Sequence, residues 1–189
     1  RPKHIDDFRA WGCNYWDLWA NEDGSINVDY GNAWFDFNGF DQIAQLKDKL
    51  KNNPTDRRMI VTGWRPDNLE NLSLPCCHYS YQFYVRHGKY IDMLWSQRSV
   101  DMMVGLPSDI AFAAAWLIAL ANEFGFVPGE IHMALGDIHV YDAHTEAARA
   151  YVDYVARAGV SRPPEYKYYA DKGKDFCLFD PSELVVQQF

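Results

Sequence analysis

The stretch YSYQFYVRHGKYIDMLWSQRS, residues 79–99, and the run PSDIAFAAAWLIALANEFG, residues 107–125, together decide the fold. The first alternates aromatic, β-branched and polar side chains around His87 and Gly88, which predicts two strands joined by a tight turn. The second is apolar nearly all round and ends at Gly125, which predicts a buried helix with Ser108 as its N-cap. A strand pair that leads into a buried helix indicates an α/β (α+β) domain with a mixed, mostly antiparallel sheet.

Weaker patterns on both sides add elements to this centre. Apolar residues from Phe40 to Leu50 have helical spacing, which predicts an amphipathic surface helix that ends at Pro54. The other predicted elements are a strand at RRMIVTGW (57–64), a strand at 131–135, a helix at 143–158 and a late strand near Phe176. No linker or internal repeat separates them, so we expect a single domain over residues 1–189.

The composition limits the classes of function. The chain has 189 residues, of which 48% are hydrophobic and 16% aromatic, and this apolar surface favours a homo-oligomer. The net charge of -8 argues against direct nucleic-acid binding, because proteins that bind the phosphate backbone carry a basic excess. The apolar run 110–121 is too short to span a bilayer and no secretory signal is seen, so we expect a soluble, cytoplasmic protein without membrane contact.

The four cysteines raise a question of chemistry. They lack the paired spacing of a zinc site, so we expect no metal. Cys76 and Cys77 are adjacent, and a disulfide between neighbours needs a strained geometry and an oxidising compartment. Packing or reactivity remains for this pair, and alternation along an extended segment places the two side chains on opposite faces.

Three polar clusters accompany the cysteines: DRR (56–58), SQRSVD (96–101) and GDIHVYDAH (136–144). Each arginine taken singly is as well explained by a solvated strand end. Several arginines in an acidic protein suit a phosphate, because the guanidinium fork matches phosphate oxygens. Positive charge also favours the nucleophilic thiolate form of a nearby cysteine. The residues alone therefore indicate a small phosphorylated ligand near a reactive cysteine, and they do not name the reaction.

Separated segments in this order resemble the thymidylate synthase family, which includes the deoxycytidylate hydroxymethylases. The segments are YWDLWANEDGSINVDYG (15–31), DRRMIV (56–61), LPCCHYSYQFYV (74–85), SQRSVDMMVGLPSDIA (96–111) and LGDIHVYDAH (135–144). The resemblance implies a thymidylate synthase-like fold and a homodimer that packs sheet to sheet. It also implies a nucleoside monophosphate substrate and 5,10-methylenetetrahydrofolate as the one-carbon donor.

The resemblance assigns roles residue by residue. Cys77, directly before His78, matches the nucleophile that adds to C6 of the pyrimidine. Residues matched to phosphate and sugar ligands are Arg98 and Ser99, Arg57 and Arg58 from the other subunit, and His139 and Tyr141 on the sugar hydroxyl. Residues matched to the polar network around the base are Tyr30, His78 and Gln97. Residues matched to the folate site are Trp16, Trp19, Asp101 (also substrate-binding) and Gly105, although core packing explains the two tryptophans equally well.

Asp109 departs from the thymidylate synthase pattern. The family has GLPFN where this chain has GLPSD, so a carboxyl group replaces the amide that recognises uracil. A carboxyl group that accepts from the 4-amino group and shares a proton with N3 fits cytosine. The same substitution marks the hydroxymethylase branch, although an acidic residue at a helix start is also an ordinary helix-end preference.

The product and the extent of the chain remain open at this stage. The closing VVQQF (185–189) lacks the small apolar ending that closes over the folate in the family. An incomplete lid favours the addition of water, so we expect hydroxymethylation of dCMP or CMP. The family's N-terminal segment, with its phosphate-loop arginine and catalytic glutamate, has no counterpart before Tyr15. Thymidylate synthase, dUMP hydroxymethylase and a non-catalytic nucleotide-binding remnant are the alternatives.

Overall fold

The computed structural model describes residues 3–159 and 165–187, which divide into two compact units, Arg1–Gln82 and Phe83–Phe189. The helices are α1 (Ile5–Ala10), α2 (Asn32–Phe35), α3 (Gln42–Asn52), α4 (Gly105–Phe124) and α5 (Thr145–Ala158). The strands are β1 (Ile60–Thr62), β2 (His78–Arg86), β3 (Tyr90–Asp101), β4 (Val127–His139), β5 (Glu165–Tyr168) and β6 (Leu184–Gln187). Because β2 crosses the boundary between the units, the prediction of a single domain stays a prediction.

The first unit is held together around β1 and α3. β1 pairs antiparallel with β2, with Val61 opposite Tyr81. The amide of the buried Gln42, at the start of α3, donates to the carbonyls of Ala33 and Thr62 at 2.8 Å each and accepts from the Thr62 N–H at 2.9 Å. A buried amide whose hydrogen bonds are all made fixes α3 against both neighbours at little desolvation cost.

The second unit is built on a parallel strand pair. β3 pairs with β4 from Tyr90 opposite Val127 to Asp101 opposite His139, and α4 packs on both strands. A Cβ on Gly136 would lie 2.6 Å from the carbonyl oxygen of Arg98, so the close approach of the two backbones requires glycine there. Parallel pairing here and antiparallel pairing in the first unit confirm the predicted mixed sheet.

The predicted turn is confirmed. His87 and Gly88 both have positive φ, at 54° and 64°, which is the conformation of the two-residue turns that join antiparallel strands. The predicted stop of α4 at Gly125 is also confirmed, since this residue is left-handed with φ 75°.

Other boundaries were predicted wrongly. α4 begins three residues before Ser108, and the Ser108 hydroxyl donates back to the Val104 carbonyl at 3.1 Å inside the helix. Phe40 precedes α3 and is 49% exposed, so the helix begins later than its apolar spacing indicates. A short 3-10 turn, Phe176–Leu178, stands where a late strand was predicted. Of the closing segment, Gln188 and Phe189 lie outside the described residues.

The burial of α4 is one-sided. Trp116, Leu117 and Leu120 are buried, whereas Ile110 and Phe112 are 47% and 41% exposed, so the prediction of a fully buried helix is wrong for its first turns. Within the described residues α4 alone is long and apolar enough to cross a membrane, a test that the core helix of a soluble protein also passes.

Candidate active site

Cys77, His78 and Tyr30 lie together in the first unit. The Tyr30 hydroxyl accepts a hydrogen bond from the Cys77 backbone N–H at 2.5 Å, and the Tyr30 and His78 rings are 4.5 Å apart. Cys76, one residue earlier, is 1% exposed, whereas Cys77 is partly exposed. The thiol available to a ligand in this pair is therefore that of Cys77, in keeping with the alternation predicted for the two cysteines.

The electrostatics of this group keep two side chains neutral. Burial and the neighbouring Cys77 raise the pKa of Tyr30 far above its usual value, so the phenol stays protonated. Burial lowers the pKa of His78 to about 3, so its imidazole is neutral at physiological pH. Tyr30 can therefore donate a hydrogen bond to a ligand, and His78 can accept one, without bringing a charge into the site.

Tyr81 orients the His78 ring. Its hydroxyl lies 2.5 Å from His78 Nδ1 and donates to the His78 carbonyl at 3.1 Å. A hydroxyl has one proton, so both bonds form together only when Nδ1 carries the ring proton and Nε2 is an acceptor. Tyr81 was not predicted from the sequence, because it is one of many aromatic residues in an alternating strand.

The two tryptophans matched to the folate site differ in exposure. Trp16 packs against the apolar cluster that contains Phe8, with ring centroids 5.8 Å apart, and against Tyr30 at 5.9 Å. Trp19 is 44% exposed. The structure thus supports core packing for Trp16 and leaves the Trp19 ring accessible for stacking on a planar ligand.

Gln97 and Asp109 meet in the second unit. The Gln97 amide nitrogen donates to Asp109 Oδ2 at 2.7 Å and to the Ser99 carbonyl at 3.1 Å. Its oxygen accepts from the indole N–H of Trp95 at 2.9 Å. Gln97 is 3% exposed, so this network is a buried one with defined donors and acceptors. Trp95 was not predicted from the sequence, although its position two residues before Gln97 on one strand places both side chains on the same face.

The environment of Asp109 favours its neutral form. Burial raises the pKa of its carboxyl group, the hydrogen bond from Gln97 lowers it, and the charge of Asp101 raises it. Asp109 lies four residues inside α4, and no acidic residue occupies the first turn of that helix. The helix-end explanation of this aspartate is therefore wrong.

Asp101 and Gly105 form a turn at the start of α4. The Asp101 carboxylate accepts from the backbone N–H groups of Met103 at 3.0 Å and Gly105 at 3.3 Å. A Cβ on Gly105 would lie 3.3 Å from the Asp101 side chain. Both residues thus help to shape the entry into α4, and their predicted contacts with folate stay predictions.

His139 and Tyr141 come together at the end of β4. Their ring centroids are 5.1 Å apart and nearly perpendicular. Among the residues that the structure describes, none forms a hydrogen bond with the buried Nδ1 of His139, and the nearest carboxylate oxygen, on Asp137, is 3.8 Å away. The side chain as a whole is 28% exposed, so the part of the ring open to a ligand does not include the buried Nδ1.

The predicted phosphate ligands lie on two elements. Arg57 and Arg58 line an open cavity of about 580 Å³ with Asn53, Thr55 and Asp56. The Arg58 side chain is 85% exposed and touches Asp56 at 3.3 Å, so it is placed to reach outward. Arg98 and Ser99 are adjacent on β3. In the described part of the chain, no group of three histidine, cysteine, aspartate or glutamate side chains is arranged to hold a metal ion.

Comparisons with known proteins agree on one family. The family profile described as Thymidylate synthase matches residues 1–188. The thymidylate synthase of Enterobacteria phage T4 is 42% identical over 126 residues, which are 67% of this chain and 44% of the relative. The thermostable thymidylate synthase A of Bacillus subtilis superposes with a TM-score of 0.83 at 29% identity, over 97% of this chain and 66% of that one. The chain thus spans less than two thirds of either relative.

Proposed function

Because the chain belongs to the thymidylate synthase family, we propose that it is a folate-dependent enzyme that hydroxymethylates C5 of a cytidine nucleotide, dCMP or CMP. The thymidylate synthase-like fold is established by the structural similarity. The base, the product and the dimer are proposals, which rest on the contacts described above.

Cys77 is the proposed nucleophile. Its thiolate adds to C6 of the pyrimidine, and the electron pair of the C5–C6 double bond makes C5 nucleophilic toward the one-carbon unit. The hydrogen bond between the Cys77 N–H and Tyr30 supports this role, because it anchors the backbone that carries the thiol. The neutral His78 and the protonated Tyr30 supply uncharged hydrogen-bonding groups beside it.

The observation that carries the choice of base is the bond from Gln97 to Asp109. It holds a carboxyl group whose pKa is raised by burial. A neutral carboxyl group pairs a donor with an acceptor, and these match N3 and the 4-amino group of cytosine. Uracil has a donor at N3 and an acceptor at O4, which is the reverse of cytosine, so we expect it to bind more weakly.

The remaining proposed contacts with the nucleotide are made by arginines and by residues at the end of β4. Arg98 and Ser99 bind the phosphate, and His139 and Tyr141, whose rings meet at the end of β4, hold the 3'-hydroxyl. The exposed Arg58, with Arg57, reaches the phosphate of a second subunit in a homodimer. Both ribose and deoxyribose carry the 3'-hydroxyl, so the proposal covers CMP and dCMP.

The one-carbon balance defines the reaction. Methylenetetrahydrofolate, when bound, supplies a methylene group to C5, and tetrahydrofolate leaves. The C5 proton replaces the methylene group on the departing tetrahydrofolate nitrogen. Hydroxide from water adds to the methylene carbon, the Cys77–C6 bond breaks to restore the C5–C6 double bond, and the water proton goes to the released thiolate. The exposed ring of Trp19 suits a planar pteridine, whereas Trp16 packs against the core cluster. Asp101 and Gly105 are the further proposed folate contacts.

A second candidate function is that of thymidylate synthase, in which a hydride takes the place of water and C5 receives a methyl group. The names of both relatives favour it. A non-catalytic nucleotide-binding protein is the third, and it predicts binding without turnover.

The test is to incubate the protein with dCMP, CMP or dUMP and methylenetetrahydrofolate and to follow the nucleotide mass. A hydroxymethyl adduct on a cytidine nucleotide supports the proposal. A methyl adduct on dUMP with formation of dihydrofolate supports thymidylate synthase. No adduct on any of the three nucleotides overturns both enzymatic candidates.

A further inference from the structure

The neighbours of the Gln97 amide fix its orientation. The indole nitrogen of Trp95 is only a donor, and the Ser99 carbonyl is only an acceptor. The amide oxygen therefore faces Trp95 at 2.9 Å, and the amide nitrogen faces Ser99 at 3.1 Å and Asp109 at 2.7 Å. A flipped amide would place nitrogen against the indole N–H and oxygen against the Ser99 carbonyl, and both contacts are repulsive.

The orientation of Gln97 decides which atom of Asp109 carries a proton. In the observed orientation Oδ2 accepts from Gln97, so a proton that the carboxyl group shares with the base is favoured on Oδ1. Asp109 then offers a donor, which N3 of cytosine accepts. In the flipped orientation the Gln97 oxygen would accept a proton held on Oδ2, and Oδ1 would become an acceptor that suits N3–H of uracil.

We propose that Trp95 is a positioning residue for base selection: its indole N–H holds Gln97 in the orientation that makes Asp109 complementary to cytosine. Trp95 itself need not touch the nucleotide. It is 0% exposed and its N–H bonds to Gln97. This inference rests on the proposed preference for cytosine. It assigns part of that preference to a residue that is separated from the base by two side chains, Gln97 and Asp109.

The experiment measures the binding of dCMP and of dUMP to the full chain by isothermal titration calorimetry, which needs no turnover. Trp95→Phe keeps a buried aromatic ring and removes the N–H. We expect the ratio of the two affinities to fall about tenfold, the factor expected for the loss of one buried hydrogen bond. Trp95→Tyr keeps more of the volume, places no donor at the indole nitrogen and should lose the same preference if the Phe variant does not fold.

The matched control is Trp116→Phe, because Trp116 belongs to the same unit and packs on Phe83 and Phe112. We expect this variant to keep the wild-type ratio. A second control is the Gln97→Met background, in which removal of the Trp95 N–H should cause no further loss if Trp95 acts through Gln97.

The outcomes separate the two proposals. A wild type that prefers dCMP, with a Trp95 variant that keeps the same ratio, overturns the role of Trp95 and leaves the proposed function intact. Additive losses from Trp95 and Gln97 also overturn it. A wild type that binds dUMP as well as or better than dCMP overturns both this inference and the proposed cytidine specificity.

Discussion

The hydroxyl of Tyr30 accepts a 2.5 Å hydrogen bond from the backbone N–H of Cys77, 47 residues further along the chain. The contact joins a loop tyrosine to the residue before β2. The ring of the same tyrosine lies 4.5 Å from that of His78. One phenol therefore anchors the backbone of the proposed nucleophile and packs against its neighbour.

Tyr30→Phe should lower the free energy of unfolding by about 1–3 kcal/mol, because the partly buried Cys77 N–H loses its acceptor. Urea denaturation of the two proteins measures the difference. Tyr154→Phe removes the hydroxyl of a tyrosine that is 62% exposed and serves as the control. An equal effect from both substitutions would show that the Tyr30 bond contributes nothing specific.

His78 should make stability depend on pH. The pKa of His78 is about 3 in the folded protein and 6.5 where the ring is not buried. Below pH 6.5 the unfolded chain therefore binds a proton that the folded chain does not bind. Stability therefore falls as pH falls through this window, by up to about 1.4 kcal/mol per pH unit.

The measurement compares urea denaturation of wild type and His78→Gln between pH 7 and pH 5, above the range in which ordinary carboxylates titrate. Carboxylates with raised pKa values are present in both proteins, so their contribution cancels in the comparison. We expect the variant to show a weaker dependence on pH. His132→Gln is the control, because the His132 side chain is 64% exposed. The same pH dependence in wild type and His78→Gln would refute the buried neutral state of His78.

Asp109→Asn should shift preference from cytosine to uracil nucleotides. The amide can donate to N3 of cytosine but cannot transfer a proton to it, and with its oxygen turned to the base it pairs with N3–H and O4 of uracil. We expect the ratio of kcat/KM for dCMP over dUMP to fall at least about tenfold, as for one lost hydrogen bond. Asp137→Asn changes an exposed carboxylate and should leave the ratio unchanged. An unaltered ratio in Asp109→Asn would remove Asp109 from base recognition.

The sequence was sufficient to predict some features of the fold and not others. Periodicity was sufficient for α3, the β2–β3 turn and the stop at Gly125, because each depends on local patterns. The start of α4 was missed, since Asp101 accepts two backbone N–H groups there and Ser108 lies inside the helix. Such a turn depends on a side chain four residues before Gly105.

The motif resemblance predicted roles for Cys77, Gln97 and Asp109, but not the groups that orient their neighbourhood. Tyr81 and Trp95 belong to strands with many aromatic residues, and only the structure shows that their polar atoms meet His78 and Gln97. The pairing of Tyr30 with Cys77 is equally a product of tertiary structure, since distant segments meet there.

Arg57 and Arg58 should act on the site of the neighbouring subunit. Neither Cys77→Ser nor the double variant Arg57→Ala/Arg58→Ala should turn over alone. Mixed and reassembled in equal amounts, they should recover about a quarter of wild-type activity, because half of the dimers are mixed and each mixed dimer has one intact site. Activity that stays absent after mixing, with mixed dimers confirmed by native mass spectrometry, would place the arginines in their own subunit's site. A mass spectrum that shows monomers alone would exclude the dimer.

The release of tritium from [5-³H]dCMP or [5-³H]CMP shows whether Cys77 activates C5 of a cytidine nucleotide. Bond formation at C5 displaces this hydrogen whether the product is hydroxymethyl or methyl. We predict release that depends on methylenetetrahydrofolate in the wild type and its loss in Cys77→Ser, with nucleotide binding retained. Release that persists in Cys77→Ser, or none from either cytidine nucleotide in the wild type, would contradict the account.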